Sequence, residues 1–129
     1  MVDLRPWPLA ELRRTALASL ADAQRPENDL RTRTNLAFDG VYGLCLHFAR
    51  KWGCILPGPH LAKDALIYAE CCMDAAPAGA YAPAYAHLAQ RYDPEVAPGR
   101  LEALQDLATR IERALQCPLS WSHCQAVQQ

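Results

Sequence analysis

The sequence lacks the features that would place it at a membrane or on nucleic acid. It has no run of about 18 consecutive apolar residues, the length needed to cross a bilayer. Its 13 basic and 14 acidic residues give a formal net charge of -1, whereas chains that bind nucleic acid or anionic lipid usually carry a basic excess. The first residues, MVDLRPWPLAELRRT, show no basic start followed by an apolar run. We therefore expect a soluble, cytoplasmic chain without a membrane partner, and net charge does not support binding to nucleic acid.

Motifs that carry common cofactor and metal chemistry are also absent. The sequence contains no glycine-rich dinucleotide turn, no G-x-x-x-x-G-K-[ST] loop and no G-x-S-x-G elbow. It has neither H-E-x-x-H nor the paired Glu-x-x-His of di-iron bundles. Its six cysteines form no C-x-x-C pair, and the nearest cluster, Cys117 with His123 and Cys124, fits a structural zinc site poorly. We expect no cofactor, no metal site and buried, reduced thiols, with Cys45 and Cys71 on apolar helix faces.

Prolines and glycines divide the chain into five predicted helices, and no alternating apolar and polar run supports a β-strand. Apolar residues recur every three or four positions in roughly 8–24, 28–52, 59–75, 82–91 and 99–116. The 129 residues are enough for one domain that buries its own core. We predict an all-α fold of five helices in a single domain spanning 1–129, in which 118–129 form a loosely held C-terminal tail.

The second predicted helix is the spine of the domain, with Asn28 or Asp29 as its N-cap. At about 25 residues it would be some 37 Å long. One sector of its helical wheel is the predicted core face, made of Leu30, Thr34, Ala37, Phe38, Val41, Leu44, Cys45, Phe48 and Trp52. A glycine inside a helix costs ~1 kcal/mol relative to alanine. The pair Gly40 and Gly43 therefore predicts close approach by another backbone.

The opposite sector of this helix is polar but includes two large apolar side chains. It contains Arg31, Asn35, Asp39, Tyr42, Leu46 and Arg50. A solvated face would not normally carry Tyr42 and Leu46, so we expect another helix or a partner subunit to cover it. Residues one turn apart can meet, which leaves two interpretations. The strip is either a hydrogen-bonded network that fixes helix register, or a partner or ligand site formed by Arg31, Asn35, Asp39, Tyr42 and Arg50.

Two of the four histidines are candidates for an anion or ligand site. His60 follows "PGP" at the start of the third predicted helix, where it would bind an anion or cap the turn. His87 precedes Arg91 by four residues on the same helix face. A nucleophile needs a base within hydrogen-bond reach, and the linear sequence shows no such pair. We assign no catalytic residue.

The segment RTRTNLAFDGVYGLCLHFARKWGCILPGPHLAKDAL resembles the HEPN superfamily of small helical bundles, named for higher eukaryotes and prokaryotes nucleotide-binding. Asn35, Asp39, Tyr42, Gly58 and His60 stand where members of bacterial branches carry similar residues, over about 36 of the 129 residues. The resemblance implies a four- or five-helix up-and-down bundle that is commonly dimeric. It also implies a role among ribonuclease toxins of toxin–antitoxin systems or among noncatalytic partners of minimal nucleotidyltransferases. The ribonuclease branches use an Arg-x4–6-His motif, and no histidine here completes it.

Three functional hypotheses follow. The first is a noncatalytic HEPN-like interaction module that forms a homodimer or binds a protein partner such as a nucleotidyltransferase. The second is a divergent RNA-processing ribonuclease that combines a histidine and an arginine from different helices or subunits. The third is a bundle that binds a small ligand between the second and third helices.

Overall fold

The computed structural model describes residues 8–51, 61–73, 76–77 and 79–116. Within these ranges the chain forms five helices and no strand, which confirms the all-α prediction. The helices are α1 (Leu9–Ala23), α2 (Leu30–Lys51), α3 (Leu61–Cys72), α4 (Ala82–Gln90) and α5 (Arg100–Leu115). None of these described helices is long and apolar enough to cross a membrane. The predicted positions of Trp52, Gly58, His60 and the tail at 118–129 lie outside the described residues.

Local chemistry explains where the helices begin. The backbone N–H of Thr32 donates to Asp29 Oδ1 at 2.7 Å, so Asp29 caps α2 as predicted. The same N–H holds the pKa of the Asp29 carboxyl below its usual range, because it stabilises the charged form. Before α5, Gly99 has a φ of +76°, a left-handed conformation that glycine adopts without steric cost.

Helix α2 is the spine, since it packs against α1, α3, α4 and α5. Residues on both sides of it enter the core. Phe38 and Phe48 lie on the predicted core face, and Tyr42 and Leu46 on the opposite face are each 1% exposed. The expectation that a second face of this helix is covered is therefore confirmed, and helices of the same chain cover it.

The glycine seam of α2, formed by Gly40 and Gly43, lets α1 approach closely. A Cβ built on Gly43 would lie 2.8 Å from the Cβ of Ala16, and one built on Gly40 would lie 2.4 Å from Cγ of Leu20. Real Cβ atoms do not come this near to other carbons. The predicted close approach at the two glycines is confirmed, and α1 is the helix that makes it.

Two apolar residues were placed wrongly by helix periodicity. Leu30 was expected on the core face but is 52% exposed, because it is the first residue of α2 and lies beyond the helices that pack there. Cys71 was expected on an apolar face but is exposed. It follows the exposed Ile67 by one turn, so both lie on the outer side of α3. Cys45 and Cys72 are buried free thiols, as predicted.

We predict that Gly43→Ala destabilises the protein by about 1 kcal/mol, the net of two opposing effects. Alanine gains about 1 kcal/mol of helix propensity, but an added methyl group in a packed core costs about 1–3 kcal/mol. Here it meets Ala16, which has no flexible end to move aside. Urea unfolding would measure the change in the free energy of unfolding.

The matched control is the same substitution in an Ala16→Gly background, where the opposing methyl group is missing. There the added cost of Gly43→Ala should fall and the gain in propensity should dominate. An equal cost in both backgrounds would show that the Ala16 contact is not what requires glycine at this position. Gly40→Ala should cost less than Gly43→Ala, because the nearest atoms belong to the flexible Leu20 side chain.

Candidate functional site

The polar strip of α2 faces α4 and bonds to it. Asn35 Oδ1 lies 2.8 Å from His87 Nε2, and Arg91 NH2 donates to Asp39 Oδ1 at 3.2 Å. Nη2 of Arg31 donates to the carbonyl oxygen of Arg91 at 3.4 Å. We call these five residues the α2–α4 network. Three strip residues one turn apart thus meet partners on a single neighbouring element, as the register interpretation expected.

The aromatic ring of Phe38 completes the contact between these helices. The His87 ring lies with its centroid 5.3 Å from that of Phe38. The Arg91 guanidinium carbon lies 5.5 Å from the Phe38 centroid, within the range of a cation–π contact. His87 of α4 and Arg91, the residue that follows α4, are therefore held by packing as well as by hydrogen bonds.

His87 is neutral at physiological pH. It is 4% exposed, and burial lowers the pKa of its imidazole to about 4, with the nearby charges of Arg100 and Arg91 acting in the same direction. Since Asn35 Oδ1 is an acceptor, His87 Nε2 carries the ring hydrogen and donates it. The histidine therefore works as a fixed hydrogen-bond donor between α2 and α4.

Arginines from three parts of the chain converge beyond His87. Arg31, Arg91 and Arg100 line a cavity of about 10 Å³, together with residues that include Asp93 and Glu95. That volume holds about one water molecule. Among the described residues, Arg31 and Arg100 have no carboxylate within salt-bridge distance, and Arg100 donates to Gln90 Oε1 at 3.1 Å. The buried NH1 of Arg91 has no hydrogen-bond partner in this part of the chain.

Large exposed apolar side chains flank these cations. Tyr92 is 81% exposed and Leu30 is 52% exposed. Tyr92 follows Arg91, whose carbonyl accepts the bond from Arg31, and Leu30 precedes Arg31, so these residues lie at the same end of the bundle. We call Leu30, Arg31, Tyr92 and Arg100 the terminal patch.

The other predicted site residues lie elsewhere. Tyr42 is in the core and presents no surface to a partner. Arg50 lies 19 residues after Arg31, about 28 Å away along α2, and so at the opposite end of that helix. Of the two candidate histidines, the structure describes His87, which belongs to the network. The strip is thus one connected group at Arg31, Asn35 and Asp39, and it does not extend to Arg50.

Sequence reasoning missed the arginines that complete the site. Arg91 was noted only as a neighbour of His87, and Arg100 was not singled out. Both flank the segment RYDPEVAPGR, whose two prolines end α4 and delay α5. Consecutive helices are usually neighbours in space, so the two ends of the segment that joins α4 and α5 could have been expected to lie close together.

Comparison with known proteins adds no functional assignment to this geometry. The chain matches no family model, no curated protein and no solved structure. Within the described residues, no group of three or more His, Cys, Asp or Glu side chains is placed to hold a metal ion. Function therefore has to be inferred from the network and from the terminal patch themselves.

We predict that the protein loses stability as the pH falls from about 6.5 to about 4. The ordinary histidine pKa of 6.5 applies to the unfolded chain, while the pKa of folded His87 is about 4. Between these values His87 binds a proton in the unfolded chain but not in the folded protein. Lowering the pH therefore favours unfolding by up to ~3 kcal/mol. His47, whose pKa burial also lowers, adds in the same direction. Urea unfolding at a series of pH values would measure this slope.

His87→Gln is the matched control, because its amide can donate to Asn35 Oδ1 but does not titrate in this range. The variant should lose a large part of the slope below pH 6.5 while staying folded at neutral pH. If its slope equals that of the unchanged protein, His87 is not the group that links proton uptake to unfolding.

Proposed function

We propose that this chain is a noncatalytic helical interaction module that binds a protein partner through the terminal patch. The partner is a second copy of the chain or, following the HEPN resemblance, a nucleotidyltransferase-like protein. The observation that carries the proposal is the exposure of Tyr92 and Leu30 beside two arginines, Arg31 and Arg100, that have no carboxylate partner in the part of the chain that the structure describes. Binding hot spots are enriched in tyrosine and arginine, and a partner surface of apolar and acidic groups would complement all four patch residues.

The state of His87 supports a noncatalytic role. A general acid or base must reach the proton that it transfers and must titrate near the working pH. His87 is buried, its Nε2 is bonded to Asn35, and its pKa is about 4. Asn35 bonds to His87, and Asp39 accepts a hydrogen bond from Arg91. The network is therefore better suited to holding α4 and the patch in place than to chemistry on a substrate.

One observation favours the ribonuclease alternative. His87 on α4 lies on the same cavity as Arg31 of α2 and Arg100 of α5, which is the kind of juxtaposition that hypothesis requires. A histidine and an arginine on different helices can act on a phosphodiester only if the scissile phosphate reaches both. The present cavity, with room for about one water, would have to open for that contact.

We predict that a Tyr92→Ala/Arg100→Glu variant loses its partner. Removing the aromatic side chain and reversing one charge should weaken binding at least tenfold, which is ~1.4 kcal/mol. The tagged unchanged protein and the tagged variant would each be used to capture binding proteins from the native lysate, with ribonuclease present. Isotope labelling would compare the amounts of each protein that the two captured. Sedimentation velocity on the purified proteins would detect a homodimer in the same way.

The matched control is Lys63→Glu/Ile67→Ala on α3, which also removes one exposed apolar side chain and reverses one exposed charge. It should retain the partner that the patch variant loses. Equal capture by both variants would contradict binding through the terminal patch. Cleavage of RNA by the purified protein, abolished by His87→Ala and by Arg31→Ala, would instead favour the ribonuclease alternative.

A further inference from the structure

A groove runs between α1 and the last turn of α2, away from the terminal patch. It has a volume of about 640 Å³ and is open to solvent along much of its surface. Leu9, Ala10 and Leu17 of α1 supply its apolar floor. The edge is fixed by His47, whose Nδ1 donates to the Leu9 carbonyl oxygen at 3.2 Å. The apolar floor thus lies on α1, and the hydrogen bond from His47 ties α1 to α2 at its edge.

The rim of this groove is cationic. Arg13, Arg14 and Lys51 line it, and none of the seven described residues that line it is acidic. The nearest carboxylate on α1, that of Glu11, is already paired with Arg14. The Nε of Arg13 is buried without a hydrogen-bond partner among the described residues. A buried polar atom without a partner is rare in native proteins and calls for an explanation.

We propose that this α1–α2 groove binds an acidic amphipathic helix of a protein partner. Apolar side chains of that helix would pack on Leu9, Ala10 and Leu17, and its carboxylates would lie against the guanidinium groups of Arg13 and Arg14. An incoming carboxylate can bond a guanidinium through two parallel N–H donors, which would supply Arg13 with a negative charge that no described residue is seen to provide.

The shape of the groove favours a helix over a small molecule. Small ligands bury most of their surface in enclosed pockets, whereas this groove is open. Leu9, Arg13 and Leu17 are spaced by four residues and form one line along α1, about 12 Å long. A docked helix presents anchors at similar spacing, with its apolar face in the groove and its charged flanks at the rim.

The groove is distinct from the surface assigned above. Arg31 of the terminal patch and Lys51 of the groove are 20 residues apart on α2, which corresponds to about 30 Å. A substitution in one surface therefore leaves the other intact. The inference goes beyond the proposed function and does not depend on the terminal patch.

The test uses the full chain and a fluorescein-labelled helical peptide of about 15 residues, built from glutamate and leucine with leucine at positions i, i+3, i+4 and i+7. Fluorescence anisotropy should show saturable binding that weakens at least tenfold with Ala10→Trp or with Arg13→Met. Ala10→Trp fills the groove at an exposed position, and Arg13→Met keeps the aliphatic stem but removes the charge. Circular dichroism would verify that both variants keep their helix content.

Arg110→Met is the matched control, because it removes an arginine from the exposed side of α5 and should change the affinity by less than about twofold. Three results would overturn the proposal. They are equal binding of a peptide with lysine in place of glutamate, unchanged affinity in Ala10→Trp, and no saturation up to about 1 mM peptide. Sedimentation of the unchanged protein as a dimer that Ala10→Trp dissociates would assign the groove to a second copy of the chain instead.

Discussion

The contact between Gly43 of α2 and Ala16 of α1 is the constraint on which the rest of the architecture depends. With no side chain on Gly43, α1 lies almost directly on the α2 backbone, and this close contact brings His47 to the carbonyl of Leu9. α1 thereby covers one side of α2 at close range, and α3, α4 and α5 pack against the remaining sides. The result is a central helix buried without interruption from Gly40 to Ala49.

A helix surrounded in this way has to satisfy every polar side chain that it carries into the interior. Thr34 donates to the carbonyl oxygen of Leu30 at 2.7 Å on its own helix. Asn35 bonds to His87 of α4, and Asp39 bonds to Arg91, the residue that follows α4. Because these partners have complementary donors and acceptors, sliding α4 along α2 by one turn would leave the buried His87 ring unpaired, at a cost of ~1–3 kcal/mol, and would separate Asp39 from Arg91. The polar strip thus determines where α4 lies, and hydrophobic packing alone would not.

Periodicity predicted the helices and their core because both depend on spacing along a single element. The N-cap at Asp29 and the glycine seam were predictable for the same reason, as each has a local chemical signature. The strip was recognised, but its partners were not, since a helical wheel gives the angle of a residue and not the identity of what covers it. This explains why Leu30 was expected to be buried and is exposed, and why Tyr42 was assigned to a binding strip and lies in the core. The terminal patch depends on Arg31, Tyr92 and Arg100, which are distant in sequence and meet only through the path of the chain between α4 and α5.

Net charge near zero says little about the two surfaces proposed here, because the charges of this chain are unevenly paired. Several acidic side chains are neutralised along their own helices or turns, as Asp22 is by Arg25 and Asp106 by Arg110. Arg31 and Arg100 have no such partner among the described residues, whereas in the groove Arg14 is paired with Glu11. The favourable field of an unpaired exposed cation extends about one Debye length, roughly 8–10 Å at physiological salt, so the patch and the groove, about 30 Å apart along α2, act electrostatically as separate sites. If both proposals hold, α2 is a rigid spacer that would hold two acidic partners at a fixed distance, because its middle part is buried on every side from Gly40 to Ala49.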